Sequence, residues 1–92
     1  MNVKLDPDFF RRLKTADVKI RKSFRERIVI FIKNPLDLQL NNHELRKPYE
    51  GLRSIDITND YRAIYEEMTV GKETVAYFSL LGTHKDLYGE EQ

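Results

Sequence analysis

The chain contains two histidines, His43 and His84, and no cysteine. Imidazole titrates near neutrality, so two histidines brought together can supply both the base and the acid of a proton-transfer reaction. His43 lies in a polar stretch ahead of a strand-like run, and His84 follows the last such run. A sheet can bring both places to one open surface. Spacing alone is equally met by two surface histidines without a role. A metal site is the weaker reading, because the pair lacks the short spacing of metal motifs and has no thiolate to help it. No cofactor is implied.

Phosphate chemistry asks for more. Cleaving RNA by attack of its own 2′-hydroxyl needs a base for that hydroxyl and an acid for the departing 5′-oxygen. It also needs a cation against the charge that builds on phosphorus. Arg53 and Arg62 fall within strand-like runs, where an unpaired buried guanidinium is costly. Either they form ion pairs with Asp56, Glu66 or Glu67, or they meet a phosphate from the open face of the sheet. Tyr61, Tyr65, Tyr77 and Tyr88 offer rings on which bases stack. The same tyrosines also suit an ordinary amphipathic sheet.

The elements that must hold these groups follow from pattern. Asn2 to Leu5 alternates as a short strand. Asp6 and Pro7 read as an N-cap with proline at the first helical position, opening a short helix that ends near Thr15 and turns Phe9, Phe10 and Leu13 inward. Asp17 to Lys33 is the clearest helix, with Ile20, Phe24, Ile28, Phe31 and Ile32 at three- and four-residue spacing. Pro35 stops it. Residues 35–51 are polar and turn-rich. Three β-rich runs then follow, LRSIDIT, YRAIYEE and ETVAYFSLL, with turns at Asn59-Asp60 and Val70-Gly71-Lys72. Thr83 to Tyr88 suits one helical turn capped by Thr83. The order β-α-α-β-β-β predicts an α+β fold, an antiparallel meander with two helices on one face and the other face open.

Composition narrows the class. Ninety-two residues, 40% hydrophobic and 34% charged, suit one small domain spanning 1–92. No apolar run approaches the roughly 20 residues of a membrane span, and MNVKLDPDFF lacks the apolar core of a signal peptide, so the cytoplasm is expected. The net charge of +1 hides an asymmetry: residues 1–33 hold ten Lys/Arg against four acids, and the rest hold six against eleven. The basic third either solvates helix faces or meets a phosphate-bearing partner.

These residues carry a resemblance. LRSIDITNDYRAIYEE followed by AYFSLLGTHKDLYG resembles the RelE/ParE toxin superfamily and, within it, the YafQ branch, over nearly the whole chain. DYRAIYE is shared widely across the superfamily; NNHELRKPYEGLRSIDI with GTHKDLYG is the more specific pair. The resemblance implies a ribosome-dependent mRNA endonuclease that works without metal. It implies a cognate antitoxin partner, and operator DNA bound only through the antitoxin complex. Carried over by position, His43 and His84 match two active-site histidines and act as acid and base in either order. Asp60 matches an aspartate that orients a histidine or acts as base, and Arg62 the arginine of a Tyr-Arg pair. Tyr61 stands at a tryptophan and Tyr88 at a phenylalanine, both placed to contact bases. Two positions depart from the pattern: Asp56 replaces a histidine on the substrate side, and Leu80 an arginine ahead of Gly-Thr-His. Arg62 or Arg53 is then expected to hold the phosphate. A ParE-like inhibitor of gyrase, and a degenerate toxin that only binds antitoxin and represses its operon, are the other readings.

Overall fold

A computed structural model describes residues 1–88; the glycine that closes GTHKDLYG lies outside the described residues. Strand β1 (Asn2–Leu5) leads into helices α1 (Pro7–Thr15) and α2 (Val18–Lys33). A 3₁₀ turn (Leu38–Leu40) and a two-residue strand β2 (His43–Glu44) follow. Strands β3 (Arg53–Asp56), β4 (Tyr61–Val70) and β5 (Glu73–Thr83) precede the short helix α3 (His84–Tyr88).

The helices start where their caps sit. The Asp6 carboxylate accepts the Asp8 N–H at 2.9 Å with Pro7 at the first position, and Asp17 accepts from Lys19 at 2.8 Å. Each carboxylate satisfies one of the donors that a helix start leaves open. Phe9, Ile20, Phe24 and Phe31 are buried as expected, but Phe10 (53% exposed) and Ile32 (46%) face solvent. Each follows a buried phenylalanine by one residue, hence by about 100° around the helix, which turns it off the narrow inward stripe.

The α+β class and the antiparallel meander are present, inside a larger sheet of order β1-β5-β4-β3-β2. β1 returns to pair in parallel with β5, Asn2 opposite Val75 through Leu5 opposite Phe78, which makes the sheet mixed. β2 adds antiparallel to β3. Its two residues are too few to give an alternation signal. The β4–β5 hairpin turns at Gly71-Lys72, with Gly71 at φ +64, a conformation that favours glycine at the first central position.

One face of the sheet carries Ile55, Ala63, Tyr65, Ala76, Phe78 and Leu81 against the helices. Phe78 is the hub: its ring centroid lies 5.0–6.2 Å from those of Tyr65, Phe31, Phe9 and Phe24, in tilted or edge-on arrangements. The register jumps between Ile64 and Tyr65, leaving Ser79 as the extra residue of a β-bulge on β5. The bulge shifts the alternation by one. Leu81 then meets the core, while Leu80 and Gly82 fall on the face away from the helices, opposite Ile64 and Arg62. Among the described residues no helix is long and apolar enough to cross a membrane.

Candidate active site

The face turned away from α1 and α2 carries two rows of residues set by strand register, of which Ser54 and Ile64 are fully buried. His43, Ser54, Ile64 and Leu80 form one; Asp56, Arg62 and Gly82 form the next. At the β2 end of this face lies a groove of about 410 Å³ lined by His43, Arg62, His84 and Tyr88, together with Asn41, Arg46 and Lys47. Four of the residues predicted from sequence therefore share one cleft, though His43 and Tyr88 lie 45 positions apart in the chain.

Backbone geometry orients His43. Its Nδ1 lies 2.8 Å from the Asn41 carbonyl oxygen. A carbonyl only accepts, so Nδ1 carries the proton, and in the neutral ring the lone pair sits on Nε2. Asn41 caps the 3₁₀ turn in the left-handed region (φ 50, ψ 45) and is the one non-glycine residue at positive φ among the described residues.

His84 is held at the strand end. Its N–H donates to the Asp60 carbonyl at 3.0 Å, and its ring lies 4.7 Å from that of Tyr88. The turn that carries it is capped reciprocally. Asp86 N–H donates to the Thr83 hydroxyl (3.0 Å), and Thr83 N–H donates to the Asp86 carboxylate (3.2 Å). That backbone N–H, then the Thr83 hydroxyl, hold the Asp86 carboxyl below the usual carboxylate range. Arg12 of α1 reaches the same carboxylate at 3.3 Å. From the other side, the Tyr49 hydroxyl donates to the Leu87 carbonyl at 2.6 Å, and its ring meets Tyr88 edge-on.

Arg62 is the partly buried cation of the groove. Its Nε contacts Asp56 at 3.0 Å, and Nη1 donates to the Thr58 and Tyr61 carbonyls at 2.9 and 3.1 Å. Nη2 has no bonding partner among the described residues. Of the two roles open to it from sequence, the ion pair with Asp56 is formed, and Arg62 also lines the groove. Arg46 and Lys47 are exposed beside the groove. The sequence signal for them is a basic pair three and four residues beyond His43. Among the described residues no three metal-ligating side chains converge.

No protein-family model matches the sequence, and no curated protein matches it. Solved structures do. YafQ from E. coli strain BL21(DE3) superposes with a TM-score of 0.74 at 22% identity, over 96% of this chain and 98% of that one. A YoeB/ParE toxin from Agrobacterium tumefaciens gives 0.70 at 17%, over 91% and 99%. The RelB–RelE antitoxin–toxin complex from Methanococcus jannaschii gives 0.64 at 22%, over 91% and 93%. The chain has the RelE/YafQ toxin fold.

Within that fold, other expected site residues are placed elsewhere. Arg53 lies on the helix-side face opposite Tyr65, where its Nε donates to Asn42 at 2.8 Å and Nη1 meets Glu44 at 3.4 Å. It is therefore not in position to hold a phosphate in the groove. Asn42 in turn donates to the Tyr65 hydroxyl and the Pro35 carbonyl, both at 2.8 Å, tying the loop to the sheet. Tyr61 packs against the core on the same side, away from any base in the groove. Strand alternation decides both cases: residues 53, 61 and 65 share one face, and 54, 56 and 62 the other. Asp60 is exposed in the β3–β4 turn and touches the site through its carbonyl rather than its carboxylate. Asp56 does not line the groove; it anchors Arg62. Leu80 lies three strand spacings from His43 along their shared row, roughly 14 Å. Its side chain lines a second groove with Arg12, Tyr49 and Leu87.

Proposed function

We propose that the chain is the toxin of a toxin–antitoxin pair and acts in the cytoplasm as an endoribonuclease on ribosome-bound messenger RNA. The observation that carries this reading is the convergence of His43, His84 and Arg62 on one groove of the face turned away from α1 and α2. Each meets one demand of 2′-hydroxyl attack. The Nε2 of His43 takes the proton of the 2′-hydroxyl as O2′ bonds to phosphorus. The P–O5′ bond breaks, and protonated His84 gives its proton to O5′. The products are a 2′,3′-cyclic phosphate and a 5′-hydroxyl end. Arg62, with Arg46 and Lys47 at the rim, faces the charge that develops on the phosphoryl oxygens. Tyr88 offers its ring to a neighbouring base. The carried-over cation at position 80 is absent, and these three take its part.

The fold likeness to RelE solved with RelB supports an antitoxin as partner. The test is expression in a ribosome-containing translation extract, with mRNA ends mapped by primer extension. Wild type is expected to produce new cuts that His84→Ala and His43→Ala lose. No cleavage by wild type, or equal cleavage by the alanine variants, overturns the assignment. Inhibition of gyrase supercoiling without RNA cuts would favour the gyrase-directed reading instead.

A further inference from the structure

Resting on the catalytic reading of His43, we propose that Asn41 is the positioning residue of this site. Its backbone carbonyl fixes the His43 tautomer, and its side chain couples the base to the cation. Three contacts link the two, and a fourth steadies the cation. His43 Nδ1 meets the Asn41 carbonyl at 2.8 Å, and Asn41 Nδ2 donates to Asp56 Oδ2 at 3.4 Å. Asp56 Oδ1 contacts Arg62 Nε at 3.0 Å, and Arg62 Nη1 is held by the Thr58 carbonyl at 2.9 Å. One residue thus addresses the proton acceptor through its main chain and the phosphate-facing guanidinium through its amide.

The conformation of Asn41 makes the first contact possible. It sits at φ 50 and ψ 45, in a region most side chains avoid and asparagine tolerates. Strained backbone of this kind persists only where the surroundings hold it. Here the preceding turn does so: Leu40 is fully buried, and the Asn41 N–H donates to the Leu38 carbonyl at 3.3 Å. The left-handed residue reverses the chain so that its carbonyl meets the ring two residues on. A free histidine side chain prefers its proton on Nε2, the wrong arrangement for a base that must present Nε2 to the substrate. The Asn41 carbonyl reverses that preference.

The test has a readout that needs no activity. Nitrogen-15 NMR of the His43 ring, at a pH where it is neutral, is expected to show Nδ1 protonated in the wild type. Asn41→Val expels a β-branched residue from positive φ; it is expected to move the proton toward Nε2 and to lower cleavage by on the order of tenfold or more, part of what a positioned base supplies. Asn41→Gly keeps the left-handed backbone and its carbonyl. It is expected to retain the wild-type tautomer and to lose less activity than the valine variant. An Nε2-protonated ring in the wild type overturns the inference, as does an unchanged ring in Asn41→Val or loss of the tautomer in Asn41→Gly. If no chain cleaves RNA but the tautomers follow this order, the catalytic reading fails and the positioning role of Asn41 stands. Should Asn41→Val fail to fold, the wild-type and glycine spectra decide alone.

Discussion

Arg62 commits Nε and Nη1 to the protein and lines the groove. Its side chain is 17% exposed and that of Asp56 26%, so each charge depends on the other for compensation. Arg62→Ala leaves a largely buried carboxylate without its partner. It is expected to cost about 1–3 kcal/mol in urea unfolding, less than a fully buried pair because some water remains. Cleavage should fall on the order of a hundredfold, as when a preorganised donor is removed. Arg62→Lys keeps the charge but not the fork, so it should recover stability better than cleavage. The rim cations behave differently. Arg46 and Lys47 are exposed, so alanine at either should leave stability within about 0.5 kcal/mol while lowering cleavage. Equal cleavage by Arg46→Ala, Lys47→Ala and wild type would remove both from the site. Leu80→Arg puts its charge beside the second groove, so it should raise cleavage less than Arg46→Ala lowers it.

Helix α3 is five residues long and cannot be stable alone; Thr83, Asp86, Arg12 and Tyr49 hold it. The Asp86 carboxyl titrates below its unfolded value because Thr83 donates to it. A lowered carboxyl stabilises the turn above the unfolded value, about pH 4, and that contribution fades as pH falls through the folded one. The turn should therefore unlatch in acid before the sheet does. Amide exchange at residues 84–88 should rise below about pH 4 while β4 stays protected, and Asp86→Asn should show the looser turn already at neutral pH. This cap was legible in the sequence, as were α1, α2 and the three long strands, because caps, helical stripes and alternation are local signals. What was not legible depends on register. No local pattern announces the bulge at Ser79 that turns Leu80 outward, the parallel return of β1, or a two-residue strand at His43. Arg53 and Tyr61 were misplaced for the same reason, since the face of a strand residue is fixed only by its pairing.

Across the whole molecule, the aromatic core and the histidine groove occupy opposite faces of one sheet. The core side gathers Phe9, Phe24, Phe31 and Tyr65 around Phe78, all buried, while the groove side keeps His43, His84 and its cations near water. The histidine pair was legible because only two histidines exist; its convergence needed the register of β2 on β3 and the turn after β5. The separation yields a prediction about how variants sort. Phe78→Ala opens a cavity beneath four other rings and should cost about 3–5 kcal/mol. A domain of this size has only about 5–15 kcal/mol in total, so a large part of its stability goes with that one ring. His84→Ala removes a partly exposed ring that packs on Tyr88, and it should leave the urea midpoint nearly unchanged while abolishing cleavage. Measured together, the two variants should fall on different axes, Phe78→Ala losing cleavage only in proportion to the fraction unfolded. If His84→Ala shifts the midpoint as far as Phe78→Ala does, the groove is part of the structural core and its histidines are there to pack.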